Sequence, residues 1–326
     1  MKPCELCEKR RFKTIATEIR EGAEIIAQCA HCGLIRQDLD WDEKKLRDYY
    51  EDEYQTTNSL ISGSRISARK HFEERIKTIT PLFERVRPLL ASDMKVLEIG
   101  GGPGALLSLC KPLVKKCVGV ELNTEFVTFM KDELSIEAYA ADINTLHLPD
   151  RFDLIIMINT LDHLPNPLET MGTMKNLLNE GGKIYLETPN RDEALNFYLP
   201  QPQLSCFQKF FWHRAHLFYF TKVTISALFD KCGLRIQTAC RHEYTLKNYM
   251  NWYFTGRPQL GFVSAVSRNE LFSGKSRFET RMNKLFVGAE KEFKKILSET
   301  VRGDTLCCVG WKARSQKPRK RSARKG

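Results

Sequence analysis

The sequence predicts an α/β chain built on a doubly wound, mainly parallel sheet, with a small cysteine-rich module in front of it and a helical insertion late in it. Three observations carry this prediction. From Lys95 onward, short apolar strands alternate with helical segments. The first of these strands runs into the turn Glu98-Ile99-Gly100-Gly101-Gly102-Pro103-Gly104 and then directly into the apolar helix start Ala105-Leu106-Leu107. Glycines there let the backbone turn tightly and approach a ligand with no side chain in the way. The segment 152–159 (FDLIIMIN) is almost continuously apolar, as a central parallel strand covered on both faces must be.

Bulk properties narrow the class. With 326 residues, 42% hydrophobic and 28% charged, the chain can bury a full core and form one or two ordinary globular domains. No apolar run approaches the roughly 20 residues that a membrane-spanning helix needs. The opening Met1-Lys2-Pro3-Cys4 has no apolar signal core, so a cytoplasmic protein is expected. The net charge is +11, but residues 314–326 contain seven Lys and Arg and no acid. Most of the basicity therefore sits in an expected disordered tail. Such a tail is either merely solvated or a non-specific anchor to nucleic acid or another acidic surface.

The elements follow in chain order. Residues 1–40 form a module with Cys4-Glu5-Leu6-Cys7, 21 intervening residues, then Cys29-Ala30-His31-Cys32-Gly33. Four thiolates at this spacing make a closed tetrahedral site for a structural zinc ion, with disulfide or redox chemistry as the alternative. His31 reads as a loop residue, and residues 14–19 and 23–27 as short strands. Residues 41–90 read as a helical lid or linker: Asp42 caps a first helix, and Pro81 kinks or splits a second over residues 66–86. Residues 91–245 form the core. Its expected strands are 95–99, 117–122, 137–141, 152–159, 183–188 and 234–241, with helices over 105–113 and 223–231. Residues 246–303 are an insertion holding the aromatic run 249–254, which suits base stacking or packing, and a helix over 277–298. Residues 304–313 supply a final core strand beside the sixth, and residues 314–326 are the basic tail. Cys110, Cys117, Cys206, Cys232, Cys240, Cys307 and Cys308 are scattered and read as reduced core thiols.

The glycine turn admits two cofactors. Gly100, Gly102 and Ala105 satisfy the dinucleotide pattern G-x-G-x-x-G/A. Glu98, Gly100, Gly102 and Gly104 also satisfy acid-x-G-x-G-x-G. In that form, over residues 65–245, the chain resembles the class I S-adenosylmethionine-dependent methyltransferases, which have a Rossmann-like fold. The resemblance implies that Glu121 at the end of strand two holds the ribose hydroxyls. It implies that Asp142 contacts the adenine amine with Ile143 against the ring, and that Asn159 lies at the cofactor edge. Phe152-Asp153 and Leu161-Asp162-His163-Leu164-Pro165 match a further motif of that family, with Asp162 in place of the usual glutamate. Asp162 and His163 also suit helix capping and packing. An acidic loop free of phosphate fits a cationic sulfonium better than a diphosphate, which Glu98 would repel.

The acceptor side is read from His213-Arg214-Ala215-His216-Leu217-Phe218-Tyr219-Phe220-Thr221. This segment resembles the H-x-x-F-[ST] segment of small-molecule methyltransferases. It is also similar to Y-H-E-H-F-S-Y-F-S in zinc-containing sugar C-methyltransferases. The resemblance puts His216 at the position of the base, with His213 replacing a tyrosine and Ala215 a glutamate. The expected activity is methyl transfer to oxygen or carbon of a small polar metabolite, a sugar or nucleotide-sugar. The alternative is an RNA methyltransferase that holds nucleic acid through the zinc ribbon and the basic tail. Against it, strand four ends in Asn159-Thr160-Leu161-Asp162, not in the N/D-P-P-Y/F of amino-methylating DNA enzymes.

Overall fold

The computed structural model describes residues 2–38, 45, 67–259 and 271–312. The helix expected after Asp42 and the basic tail lie outside the described residues.

At the N-terminus, β1 (Phe12–Ile19) and β2 (Gly22–Cys29) form an antiparallel hairpin, and β3 (Ile35–Gln37) pairs with β2. Two helices follow, α1 (Ala68–Thr78) and α2 (Thr80–Val86). Pro81 lies in the first turn of α2, where its missing N–H costs nothing, so the proline splits the expected long helix.

The core then runs β4 (Lys95–Ile99), α3 (Ala105–Cys110), β5 (Lys116–Glu121), α4 (Thr124–Asp132), β6 (Glu137–Ala140), β7 (Phe152–Ile158), α5 (Pro167–Leu177) and β8 (Leu178–Pro189). It continues with α6 (Gln203–Phe211), β9 (Phe218–Tyr219), α7 (Lys222–Lys231), β10 (Leu234–Arg241), α8 (Leu246–Thr255), α9 (Arg277–Glu299) and β11 (Thr305–Lys312).

Seven strands form one sheet in the order β10-β11-β8-β7-β4-β5-β6. The run from β8 to β6 is parallel, and β11 enters antiparallel between β8 and β10. The doubly wound α/β fold is thus as the sequence predicts. Alternate residues of the central strands face opposite layers. Leu97, Ile99, Ile155 and Met157 join one buried cluster; Val96, Leu154 and Ile156 join the other. β8 begins five residues earlier than expected. Phe152 pairs with Leu178, and pairing resumes at Leu154 with Lys183, so the segment around Gly181-Gly182 is an irregularity within the strand and not a turn before it.

A second, four-stranded sheet was not anticipated. Its order is β1-β2-β3-β9, so the N-terminal hairpin pairs with the histidine-bearing segment far along the chain. Ile35 lies opposite Tyr219 and Arg36 opposite Phe218. Ile19, Ile26 and Ile35 pack with Trp212 and Tyr219, while Cys4, Leu6, Cys29 and Leu34 join a cluster of the main sheet. The aromatic run 249–254 lies in α8. Its Trp252 is buried between Phe207 and Phe210, with ring centroids 4.9 and 5.0 Å away. Among the described residues, no helix is long and apolar enough to cross a membrane.

Candidate cofactor and acceptor site

The C-terminal ends of β4, β5 and β7 open on a cavity of about 500 Å³, within the roughly 300–1,000 Å³ range of small-molecule sites. This is the edge of a parallel sheet at which α/β folds bind ligands. The turn after β4 is left-handed at Gly100 (φ 70°), Gly102 (φ 60°) and Gly104 (φ 81°), a conformation that favours glycine. A Cβ on Gly100 would meet the Thr160 side chain at 2.5 Å. Gly104 is the N-cap of α3 and is turned toward Met130, while Gly100, Gly101 and Gly102 line the cavity.

Carboxylates surround that turn. Glu121 Oε2 accepts the Gly102 N–H at 3.0 Å, and its Oε1 accepts the N–H groups of Leu122 and Asn123 at 2.8 and 3.2 Å. Glu98 is buried, and its Oε2 has no hydrogen-bond partner. Burial pushes the Glu98 carboxyl up to about 7, helped by the Glu121 charge and opposed by Arg75. Asp142 Oδ1 accepts the Asn144 N–H at 2.8 Å, and Ile143 beside it is buried. Asn159 (φ 46°) donates its backbone N–H to the Glu187 carbonyl at 2.8 Å. Glu98, Glu121, Asp142, Ile143 and Asn159 all line the cavity, and α1 adds His71 and Arg75.

Histidines form the other wall. His163, His213 and His216 line the same cavity. Asp162 is buried behind them, and burial pushes its carboxyl up. Its Oδ2 lies 3.4 Å from His163 Nε2 and 3.6 Å from His216 Nε2. The His163 and His216 rings meet edge to face at 4.9 Å. Burial pushes all three histidines down: His213 to about 3, His216 well below its usual value, and His163 downward against the opposing pull of Asp162. Neighbouring positive groups, Arg20 among them, add to the shift of His213 and His216. The imidazoles are therefore neutral near pH 7.

The second sheet fixes this wall. Gln37 Nε2 donates to the carbonyls of His213 and His216, the latter at 2.7 Å. Tyr219 Oη accepts the His213 N–H at 2.8 Å. Glu21 Oε1 lies 3.3 Å from His213 Nε2, and Glu21 Oε2 accepts the Arg214 N–H at 3.0 Å. Arg20 and Tyr244 complete the lining. Sequence reasoning missed Arg20, Glu21, Gln37 and Tyr244. Only the turn between β1 and β2 marks the first two locally, and nothing local marks the others.

The four N-terminal cysteines converge. Cys4 Sγ is 3.5 Å from Cys32 Sγ, and Cys7 Sγ is 3.5 Å from Cys29 Sγ; all four sulfurs lie within 4.8 Å of one another. A tetrahedral zinc with Zn–S bonds of about 2.3 Å spaces its sulfurs about 3.8 Å apart, whereas a disulfide requires about 2.05 Å. The cluster fits a four-thiolate metal site.

A family model described as a methyltransferase domain matches residues 70–239, just over half of the chain. Curated relatives include the ubiquinone biosynthesis O-methyltransferase of Colwellia psychrerythraea, 24% identical over 106 residues, which are 30% of this chain and 43% of that protein. The Haemophilus ducreyi protein of the same name is 28% identical over 108 residues, 30% of this chain and 46% of that one. The chain thus spans less than half the length of these relatives. Among solved structures, a SAM-dependent methyltransferase from Archaeoglobus fulgidus is similar with a TM-score of 0.45 and 18% identity, over 73% of this chain and 97% of that one. The match over residues 70–239 covers the glycine turn, both edge carboxylates and the histidine wall, and the chain belongs to the methyltransferase-domain family.

Proposed function

We propose that the protein is an S-adenosylmethionine-dependent methyltransferase that methylates a small polar metabolite, a sugar or nucleotide-sugar, at oxygen or carbon. One observation carries this reading: the acidic glycine turn and the histidines line one cavity. Gly100, Gly102, Glu98, Glu121, Asp142, Ile143 and Asn159 hold the cofactor, with Gly104 shaping the turn from behind. The orphaned, buried Glu98 Oε2 suits a cationic ligand. Bound S-adenosylmethionine would supply a methyl group already activated by its sulfonium.

The chain's own work is then to orient the acceptor and remove its proton. His216 is the base: it is neutral because burial depresses it, and Asp162 beside its Nε2 stabilises the imidazolium that forms. His213 lines the acceptor side next to it. Cys4, Cys7, Cys29 and Cys32 hold a structural zinc that leaves no position for substrate. The eleven cysteines carry no disulfide, which supports a reducing, cytoplasmic setting. Pairing of the ribbon with β9 beside the cavity favours a part in this site over a free nucleic-acid module.

The test is a transfer assay with methyl-labelled donor against separate metabolite, nucleotide-sugar and RNA pools. Label in a small-molecule pool is expected, and label confined to RNA would overturn the reading. His216→Ala should lower turnover at least 100-fold, in line with the ~10²–10⁴ contribution of a general base, while cofactor affinity changes little. Unchanged turnover would remove His216 as the base.

A further inference from the structure

We propose that the turn of the cysteine-module hairpin is the acceptor-recognition element of this site, with Arg20 binding an anionic group, phosphate or carboxylate, on the acceptor. This rests on the methyltransferase reading and names the class of its second substrate. Three observations on the hairpin lead to it.

The hairpin is locked against the histidine wall, so its turn has a fixed position there. The Arg20 N–H donates to the Trp212 carbonyl at 2.9 Å, Glu21 engages His213 and Arg214, and Gln37 holds the carbonyls of His213 and His216.

The Arg20 side chain is itself held in place. Its Nε and Nη2 both donate to the Phe210 carbonyl, at 2.9 and 2.7 Å, and its guanidinium lies 3.8 Å above the Phe210 ring. The group lines the cavity with His213, His216 and Tyr244. A guanidinium fixed by one edge keeps its remaining N–H groups in a set geometry, which suits the paired oxygens of a phosphate or carboxylate.

Finally, the acids of the hairpin are spoken for. Glu18 pairs with Lys209, Glu21 with His213 and Glu24 with Arg214. Among the described residues no salt bridge reaches Arg20, although the charge of the adjacent Glu21 acts on it. Arg20 is exposed, and it stands in the cavity wall beside His213 and His216, where a bound ligand can meet it. Glu98, Glu121 and Asp142 line the cavity around the glycine turn and Arg20 lines it beside the histidines, so a cationic cofactor and an anionic acceptor each find an opposite charge, with Arg75 also near Glu98 and with Glu21 and Asp162 beside the histidines.

The test uses the full chain saturated with S-adenosylhomocysteine. Inorganic phosphate and acetate are titrated separately by calorimetry at constant ionic strength. One site is expected for at least one anion, and the better binder identifies the acceptor group. Arg20→Met should weaken that binding about tenfold or more with S-adenosylhomocysteine affinity retained. Where Arg20→Met fails to bind S-adenosylhomocysteine, Arg20→Gln carries the same expectation. Equal anion affinity in wild type and variant, or no binding of either anion to the wild type, overturns the proposal. Failure of the wild type to bind S-adenosylhomocysteine would instead overturn the methyltransferase reading.

Discussion

Glu98 shows how burial converts a single residue into a sensor of cofactor charge. Its carboxyl is buried beside the glycine turn and raised from 4.5 to about 7. The folded, ligand-free chain holds this proton more tightly than the unfolded chain does. The group thus favours the fold below about pH 4.5, and that contribution is lost as pH rises through about 7. A sulfonium and an ammonium arriving nearby reverse the preference and favour the carboxylate. S-adenosylmethionine affinity should therefore rise between pH 6 and 8, by at most about tenfold per pH unit for one released proton. Calorimetry in two buffers of different ionisation enthalpy should register that release, and Glu98→Gln should abolish both effects. A slope that survives the substitution assigns the proton to another group. At this scale the part of the cavity around the glycine turn was legible: Glu98, the glycines, Glu121 and Asp142 sit at strand ends whose positions follow from local patterning, and all but Gly104 line the cavity. Arg20 and Tyr244 were not legible, because an arginine at a hairpin turn and a tyrosine after a strand are ordinary surface residues until distant elements are brought against them.

Among the elements, those formed by local signals were read to within a few residues, and those formed by distant pairing were not. β4 and β10 match expectation at both ends, and β5 and β7 within one residue. Their apolar runs are bounded by polar or glycine-rich turns. α8 was read only as an aromatic run, although Thr245 caps it through the Asn248 N–H and Gly256 closes it in the left-handed region. β3 and β9 are three and two residues long, too short to show a period; β3 pairs with both β2 and β9, and β9 with β3. That pairing gives the cysteine module its consequence. Cys29 ends β2, and the module's hairpin and β3 support the backbone of His213 and His216. Metal analysis should find about one zinc per chain, and Cys29→Ser should lower it toward zero because a three-thiolate site is incomplete. With the module unfolded, β9 loses its neighbour and the histidine wall loosens. Methyl transfer should then fall by an order of magnitude or more while S-adenosylhomocysteine affinity stays within a few-fold. Equal losses in both would mean that the module supports the whole core and not the acceptor wall in particular.

For the whole molecule, the distribution of charge decides between the two acceptor classes. Seven positive charges of the net +11 lie in residues 314–326, after β11, which is next to the edge strand β10 in the sheet. The rest of the chain is only mildly basic, and its cavity carries charges of both signs, with Glu98, Glu121, Asp142 and Arg75 on the glycine-turn side and Arg20 among the histidines. A partly open site of about 500 Å³ selects by shape and local contacts, whereas a polyanion held by a basic run is released steeply as salt rises. Removing residues 314–326 should accordingly leave kcat/KM for a small-molecule acceptor within about twofold, because the described cavity lining lies outside that run and salt screens charges that make no direct contact with the ligand. The rate should also change little between 50 and 200 mM salt. A nucleic-acid acceptor engaged by the seven cations would behave oppositely. Its log affinity would fall with a slope of about −0.7 per contacted phosphate on a single strand, and deletion of the run would flatten that slope together with the activity. Steady-state rates of the full and shortened chains across that salt range separate the two cases, and a steep slope that disappears with the run would transfer the acceptor assignment to RNA.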